Sequence, residues 1–204
     1  MEPLPVFESH LTVAATELTA FQAACAALGV KCVAIDLPAG HTPLQPMTSS
    51  YHRGTLASVQ GEVAALAREL TGRGFSVRRL KLEAVGPHHV VPEHDDEAVA
   101  GRYFEHHARV VLPAGHDLDD LATACRQHQA HLSRNALRTD PALPPTRFVT
   151  RRGVGVGRAS AEAGFVAVLT MLRERGLTPR RVQREYVVID TNLELDRGWI
   201  DPTS

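Results

Sequence analysis

Few features of this sequence point to a scaffold held together by cysteine chemistry. The 204 residues include only three cysteines, Cys25, Cys32 and Cys125, and no pair has CxxC spacing. An odd number without that spacing argues against a disulfide framework and against a thiolate zinc site. Cys25 and Cys125 fall on apolar helical stripes, which predicts that both are buried as small hydrophobic residues.

Long apolar runs and an excess of one charge are also lacking. No stretch approaches the roughly 18 apolar residues of a membrane-spanning helix, and the N-terminal segment has no basic stretch followed by an apolar run. The formal net charge is −1, which gives no general attraction to nucleic acid or to an anionic membrane. We therefore expect a cytoplasmic protein that binds neither a membrane nor a long nucleic acid duplex. The oligomeric state does not follow from the sequence.

The sequence does contain a repeated strand pattern, in a chain that is 44% hydrophobic and has 11 histidines. The segment FESHLTV at residues 7–13 returns as FEHHARV at residues 104–110. In both copies the alternation of a strand puts Glu and His on one face and Phe on the other. A core strand does not require a Glu-x-His face, so we interpret these two polar faces as the functional centre.

Further elements repeat in the same order, at offsets of about 100 residues. The two halves each read strand, helix, strand, strand, helix, strand, which is the ferredoxin-like split βαβ pattern. We predict an α+β fold of two tandem ferredoxin-like (βαββαβ) halves related by pseudo-twofold symmetry. Residues 1–86 form the first half, residues 87–101 a linker, and residues 102–204 the second half with a C-terminal cap.

The predicted topology brings the first strand of each half beside its last strand. Helices cover the other face of each sheet, so the two polar faces are expected to line a cleft. Two neighbouring polar groups result, of which the first comprises Glu8, His10, Lys81 and Glu83, and the second comprises Glu105, His107, Gln183 and Glu185.

One short motif adds a resemblance to a known family. The segment His10-Leu11-Thr12-Val13 resembles the HxT/S element of the 2H phosphoesterases, bilobal proteins in which two such histidines act as general base and general acid on a 2′,3′-cyclic or related phosphoester. The matching position holds His107-Ala108-Arg109, with Arg where the family has Thr or Ser. The resemblance implies that His10 and His107 are the acid/base pair, with Thr12 and Arg109 as phosphate donors. A guanidinium also stabilises phosphoryl charge.

The second half carries additional candidates for anion binding. Ser133 and Arg134 replace apolar residues of the matched strand, although an exposed edge strand would have the same composition. Arg147 and Arg151 follow on the next strand, and residues 151–158, RRGVGVGR, can bring backbone N–H groups to an anion at a helix N-terminus. The predicted substrate-binding residues are Glu8, Lys81, Glu83, Glu105, Ser133, Arg134, Arg147, Arg151 and Glu185.

The sequence hypothesis for function is hydrolysis or transfer at a phosphoester of a nucleotide or an RNA end. The expected partner is an anionic small molecule or nucleotide, and no cofactor is called for. Two alternatives stay open. The cleft can belong to a non-catalytic module that binds an anionic small molecule or a protein partner. It can also belong to a metal-dependent enzyme, because carboxylate and imidazole groups on neighbouring strands can bind a divalent cation.

Overall fold

A computed structural model describes residues 4–86, 88–137 and 144–200. The first half contains β1 (Val6–Val13), α1 (Leu18–Ala27), β2 (Lys31–Asp36), β3 (Leu44–Arg53), α2 (Leu56–Gly72) and β4 (Val77–Val85). The second half contains β5 (Tyr103–Val111), α3 (Leu118–Gln127), β6 (Ala130–Asn135), β7 (Thr146–Val154), α4 (Arg158–Glu174) and β8 (Arg180–Asp190). Short 3₁₀ turns occur at Asp95–Glu97 and Leu193–Asp196.

The helices begin and end where local side chains satisfy their backbone. The hydroxyl of Thr55 accepts a hydrogen bond from the Ser58 N–H at the start of α2, and Asp117 caps α3 by accepting from the N–H groups of Asp119 and Asp120. After α1 the chain turns through Gly29 at φ +68°, in the left-handed region that glycine adopts without strain.

The apolar face of each sheet packs outward, beneath the helices. On β1 the alternate residues Phe7 and Leu11 are fully buried in a cluster with Phe21 and Cys25 of α1 and with residues of α2. A second cluster under α3 and α4 contains Cys125 and Phe165, among others. Both Cys25 and Cys125 are buried, as their helical stripes predict. The polar residues between these apolar positions therefore face inward.

The predicted arrangement of two open sheets around a cleft is wrong. The eight strands form one closed antiparallel barrel in the order β1-β3-β2-β6-β7-β5-β8-β4. The edge strand β2 pairs with β6 at Asp36↔Arg134, and β4 pairs with β8 from Lys81↔Asp190 to Val85↔Glu185. Because an edge strand leaves a row of unpaired N–H and C=O groups, the edges of two such sheets are satisfied when they join. The polar faces consequently line the inside of a barrel.

The C-terminal segment folds back across the barrel. Trp199 and Ile200 pack against Leu37 in a small apolar cluster, and the indole Nε1 of Trp199 donates to the carbonyl oxygen of Leu132 at 2.8 Å. In the described ranges no helix is both long and apolar enough to cross a membrane.

Candidate functional site

The inside of the barrel contains a cavity of about 840 Å³. One part of its wall is apolar, with Val33, Ile35, Met47 and Phe148 among the lining residues. The polar part is formed by residues of both halves, namely Glu8, His10, Lys81, Glu83, Glu105, His107, Arg109, Ser133, Gln183 and Glu185.

His10 is held so that one ring nitrogen faces two carboxylates. Strand pairing places Glu8 opposite Glu83 and His10 opposite Lys81, which confirms the predicted neighbours of β1. The Nδ1 atom of His10 lies 3.1 Å from the carbonyl oxygen of Thr48. Since a carbonyl can only accept, Nδ1 carries a proton there. The Nε2 atom is then directed at Glu83 Oε2, 3.0 Å away, and at Glu8 Oε1, 3.6 Å away.

Electrostatics shift the pKa values of His10 and Glu83 in opposite directions. Burial would lower the pKa of His10, but the nearby Glu83 carboxylate outweighs burial and raises it. Burial would likewise raise the pKa of Glu83, yet Lys81 and His10 hold it below its usual value. The contact with Glu83 therefore favours the protonated form of His10 when no other cation is present.

The ligand atoms of Glu8, His10 and Glu83 lie within 4.8 Å of one another. Glu8 is held by a neutral donor, the Ser49 hydroxyl, at 2.7 Å. Glu83 is only 1% exposed, and its Oε1 atom has no aligned hydrogen-bond partner, although Lys81 Nζ lies 2.7 Å away. These three side chains can thus offer two carboxylates and one imidazole to a single cation.

The second half repeats the arrangement around His107. Strand pairing places Glu105 opposite Glu185 and His107 opposite Gln183, as predicted. The Nε2 atom of His107 lies 3.5 Å from Glu105 and 3.4 Å from Glu185, and its Nδ1 contacts the Thr150 hydroxyl at 2.8 Å. Burial would lower the pKa of His107, but hydrogen bonds with Glu105 and Glu185 raise it to about 10.

The Glu105 carboxylate, unlike that of Glu8, is fully engaged by cations. Arg152 donates to its Oε2 atom from Nε at 3.1 Å and from Nη2 at 2.7 Å. Lys81 reaches across from the first half and donates to Oε1 at 2.6 Å. Despite burial, Lys81 and Arg152 hold the pKa of Glu105 well below its usual value. This carboxylate is already neutralised within the protein.

Glu185 is the carboxyl group best suited to carry a proton. Burial, together with the negative charge of Glu83, raises its pKa, which contact with His107 only partly opposes. Gln183 donates to its Oε1 atom at 3.0 Å. A carboxyl group with a raised pKa beside a cavity is a candidate general acid or base.

The remaining predicted site residues lie in different parts of the structure. Arg109 and Ser133 line the barrel cavity, and the Nε atom of Arg109 is buried without a hydrogen-bond partner. Thr12 is buried at 2% exposure and is not among the described residues that line the cavity. Arg134 and Arg147 line a different groove.

Arg151 lies on the outside of the barrel. It donates to Gln129 at 3.0 Å, and its guanidinium fills the space beside Gly164 of α4. It is therefore not part of the cavity that contains the two histidines.

The glycine-rich turn before α4 already has an anionic partner from the same chain. The N–H of Gly157 donates to the carboxylate of Asp95 at 2.7 Å, and Ser160 donates to the same carboxylate at 3.0 Å. A side chain at position 157 would also collide with the backbone of His94. The turn thus anchors the inter-half connection, and the predicted phosphate contact there is replaced by Asp95.

Sequence reasoning missed several groups that shape the site. Arg152 was interpreted as part of the glycine-rich turn, but it lies on β7 and faces Glu105. Its spacing of two residues from the inward-facing Thr150 was the available signal. The Thr48 carbonyl left no signal, because a backbone oxygen is present at every position.

Comparisons with known proteins give no family. No protein-family model matches the chain, and no curated protein matches it. Among solved structures, a putative monooxygenase from Fusobacterium nucleatum is 10% identical, with a TM-score of 0.32 and coverage of 98% of both chains.

Two further solved structures are similar at the same level. The acetolactate synthase small subunit from Thermotoga maritima is 11% identical, with a TM-score of 0.30 over 92% of this chain and 96% of that chain. A mutant chlorite dismutase from Candidatus Nitrospira defluvii is 13% identical, with a TM-score of 0.31 over 96% and 94%. Similarities this low carry no argument about function.

Proposed function

We propose that the protein is a metal-dependent hydrolase that acts on a small anionic ester, with a phosphoester as the preferred substrate class. The observation that carries this proposal is the orientation of His10. Its Nδ1–H is committed to a backbone carbonyl, and its Nε2 atom is presented to the carboxylates of Glu8 and Glu83. Metal-ligating histidines are oriented in this way, by a hydrogen bond from the other ring nitrogen.

The three side chains suit a divalent transition metal. Two carboxylates and one imidazole favour Zn²⁺, Mn²⁺ or Fe²⁺ over an all-oxygen site for Ca²⁺. Three protein ligands also leave coordination positions for water and substrate. Lys81, which lies against Glu83, and the proton on His10 Nε2 occupy the place of the cation in the metal-free protein.

Charge balance favours an anionic substrate. The four inward glutamates contact His10, His107, Lys81 and Arg152, and further arginines, Arg79, Arg109 and Arg181, line the cavity. A dication held by Glu8, His10 and Glu83 would add positive charge to it. Arg109, whose buried Nε atom has no hydrogen-bond partner among the described residues, is a further donor for the phosphoryl or carboxyl oxygens of a substrate.

The roles of the side chains follow from their positions. A metal ion bound here would lower the pKa of a coordinated water to near neutrality and so supply a nucleophile. Glu8, His10 and Glu83 hold that ion, and Arg109 orients the anionic group of the substrate. Glu185, with its raised pKa, holds the proton for the leaving group, while His107 stays positively charged beside it.

The phosphoester hypothesis without metal is the second candidate. His10 and His107 line one cavity with Arg109, which supports a site for a phosphoryl group. Acid/base catalysis by the pair requires one neutral imidazole. The pKa of His107 is instead raised to about 10 by Glu105 and Glu185, and Glu83 raises that of His10. Both shifts oppose a neutral imidazole, and this is why the metal-dependent form is preferred.

Metal titration of purified protein tests the proposal. After dialysis against a chelator, calorimetric titration with Zn²⁺ and with Mn²⁺ should show one site per chain. Glu83→Gln should weaken binding by about 100-fold, because it removes a carboxylate that would ligate the ion, whereas the matched change Glu185→Gln should alter it by less than about 3-fold.

Turnover is then assayed with cyclic and linear phosphoesters and with carboxylic esters. Hydrolysis that appears only after metal is restored, and that is lost in Glu83→Gln, supports the proposal. Hydrolysis that persists in chelator, and that His10→Ala and His107→Ala both abolish, supports the two-histidine candidate instead. Absence of metal binding in the folded protein overturns the metal-dependent assignment.

A further inference from the structure

A second concavity lies outside the cavity that contains the histidines. It is a groove of about 650 Å³ between the start of α3, strand β6 and the C-terminal segment. Its lining residues include four arginines and only two carboxylates, Asp36 and Asp119, among the residues that the structure describes. The arginines are Arg126, Arg134, Arg147 and Arg152.

Arg152 is the most deeply placed of these arginines. It is 4% exposed, and its Nε and Nη2 atoms are used in contacts with Glu105 and Asp196. Its Nη1 atom is buried and has no hydrogen-bond partner among the described residues. Its contact with Glu105 places Arg152 on the inward face of β7, whereas Arg147 lies five residues away with the opposite alternation. The anion contacts of the groove therefore come from Arg134 and Arg147.

Arg134 and Arg147 provide like charges at close range on neighbouring strands. Arg134 is paired with Asp36 at 2.6 Å, whereas Arg147 donates, among the described residues, to the carbonyl of the adjacent Thr146 at 2.9 Å. Burial and the charge of Arg134 both lower the pKa of Arg147. An anion between the two guanidinium groups would relieve their repulsion and accept hydrogen bonds from both.

The opposite wall of the groove is apolar. Trp199 is fixed by its hydrogen bond to the Leu132 carbonyl, and Ile200, Pro38 and Leu118 lie beside it. Leu118 is 37% exposed. Because Trp199 is only 8% exposed and Ile200 1%, the surface of this wall consists mainly of Leu118 and Pro38 with an edge of the indole. Such a surface suits an apolar or aromatic group attached to an anion.

We propose that this groove is a second binding site, for a small phosphate monoester that carries an aromatic or apolar group. The phosphate contacts Arg147 and Arg134, and the apolar group packs on Leu118 and the exposed edge of Trp199. This proposal is independent of metal binding inside the barrel, since the ligands of that site, Glu8, His10 and Glu83, do not line the groove.

Titration with phenyl phosphate tests the proposal, with inorganic phosphate and phenol as the two partial ligands. Trp199 is the only tryptophan of the chain, so its intrinsic fluorescence reports on the groove directly. We expect phenyl phosphate to bind at least about ten-fold more tightly than either partial ligand, with a change in Trp199 emission. Arg147→Gln should weaken binding by about ten-fold or more.

Two matched variants decide the location, because Trp199 also borders the barrel cavity. Arg173→Gln, at an exposed position of α4, should leave binding within about two-fold. Arg109→Gln removes the donor proposed for the barrel cavity, so it should abolish any binding there and leave the binding that Arg147→Gln weakens. Loss of binding in Arg109→Gln with retention in Arg147→Gln would assign the ligand to the cavity and overturn the proposal. Equal affinities for phosphate and phenyl phosphate would also overturn it, as would no detectable binding by folded protein.

Discussion

The two copies of the Glu-x-His strand differ in one decisive neighbour. In the first half Tyr51 is the residue of β3 that pairs with Glu8, whereas in the second half Arg152 is the residue of β7 that pairs with Glu105. A phenol adds no positive charge beside the carboxylate opposite it. A guanidinium neutralises that carboxylate through charge-assisted hydrogen bonds. Among the described residues, only the first copy therefore has both of its glutamates without an arginine partner.

A second difference strengthens the first. Lys81 pairs with His10, and Gln183 takes the equivalent place beside His107. The Lys81 ammonium reaches Glu105 of the other half, while Gln183 stays with Glu185 of its own half. Lys81 thus adds positive charge to the group around His107. Two residue differences, at the positions of Tyr51 and Arg152 and of Lys81 and Gln183, are enough to give the duplicated strands different electrostatic environments.

The largest expected effect on stability comes from removing the guanidinium of Arg152. Arg152→Gln leaves Glu105 and Asp196 buried without their common partner, which should lower the free energy of unfolding by about 3–5 kcal/mol. Tyr51→Phe is the matched change in the first half, and it should cost less than about 0.5 kcal/mol because Tyr51 is 62% exposed. Urea denaturation of both variants measures the difference. Equal losses of unfolding free energy in the two variants would show that Arg152 stabilises its copy no more than Tyr51 stabilises the other.

The pH dependence of stability tests whether His107 of the second copy is held in its protonated form. The pKa of His107 is raised to about 10 in the folded protein, above its value near 6.5 in an unfolded chain. Its contribution is therefore fully present below pH ~6.5 and is lost as the pH rises through about 10. Over that window the free energy of unfolding should fall by roughly 4 kcal/mol more in the wild type than in His107→Gln.

Denaturant unfolding at several pH values between these limits measures this difference. Taking the wild type minus the variant cancels titrations elsewhere in the chain, provided that both proteins unfold in a two-state manner. Parallel stability curves for the two proteins would show that His107 is not held as an imidazolium.

Metal affinity should depend on one histidine and not on the other. His10→Ala should weaken binding of Zn²⁺ by about 100-fold, or roughly 2.7 kcal/mol, because it removes the only nitrogen ligand of the first group. His107→Ala should change the affinity by less than about 3-fold, since the partner carboxylate Glu105 stays engaged with Arg152. Competition with a fluorescent chelator measures both. A larger effect of His107→Ala would place the cation in the second half.

The smallest effect is expected from making the two copies alike at position 81. Lys81→Gln introduces the residue found at the equivalent position 183 and removes the ammonium that lies 2.7 Å from Glu83. Loss of that competing charge should tighten metal binding by about ten-fold, or roughly 1.4 kcal/mol. The same titration measures it, with thermal unfolding as a check of folding. Weaker binding in a folded variant would mean that Lys81 supports the site instead of competing with the cation.

The sequence pattern predicted correctly the pairs of residues that follow from strand periodicity. The register Glu8↔Glu83 and Glu105↔Glu185 agrees with the predicted neighbours, because the order of strands within a ferredoxin-like half follows from its helices and connections. It failed for Thr12 in one respect. Its strand partners Arg79 and Met47 line the cavity, as the alternation predicts, but Thr12 itself is buried at 2% exposure and is not among the described lining residues. Burial by neighbouring side chains is a property of the packed structure and leaves no mark in the local sequence.

The sequence by itself determined the alternation of polar and apolar residues, the duplication and the order of helices and strands, because these depend on contacts between residues near one another in the chain. The tertiary structure alone decided that the sheets close into a barrel, that Lys81 reaches Glu105, and that Arg134 and Arg147 line a groove separate from the cavity of the two histidines. Each of these outcomes depends on hydrogen bonds or charge pairs between strands far apart in sequence. Such contacts form only where edges of matching length and register meet, and no local pattern encodes that meeting.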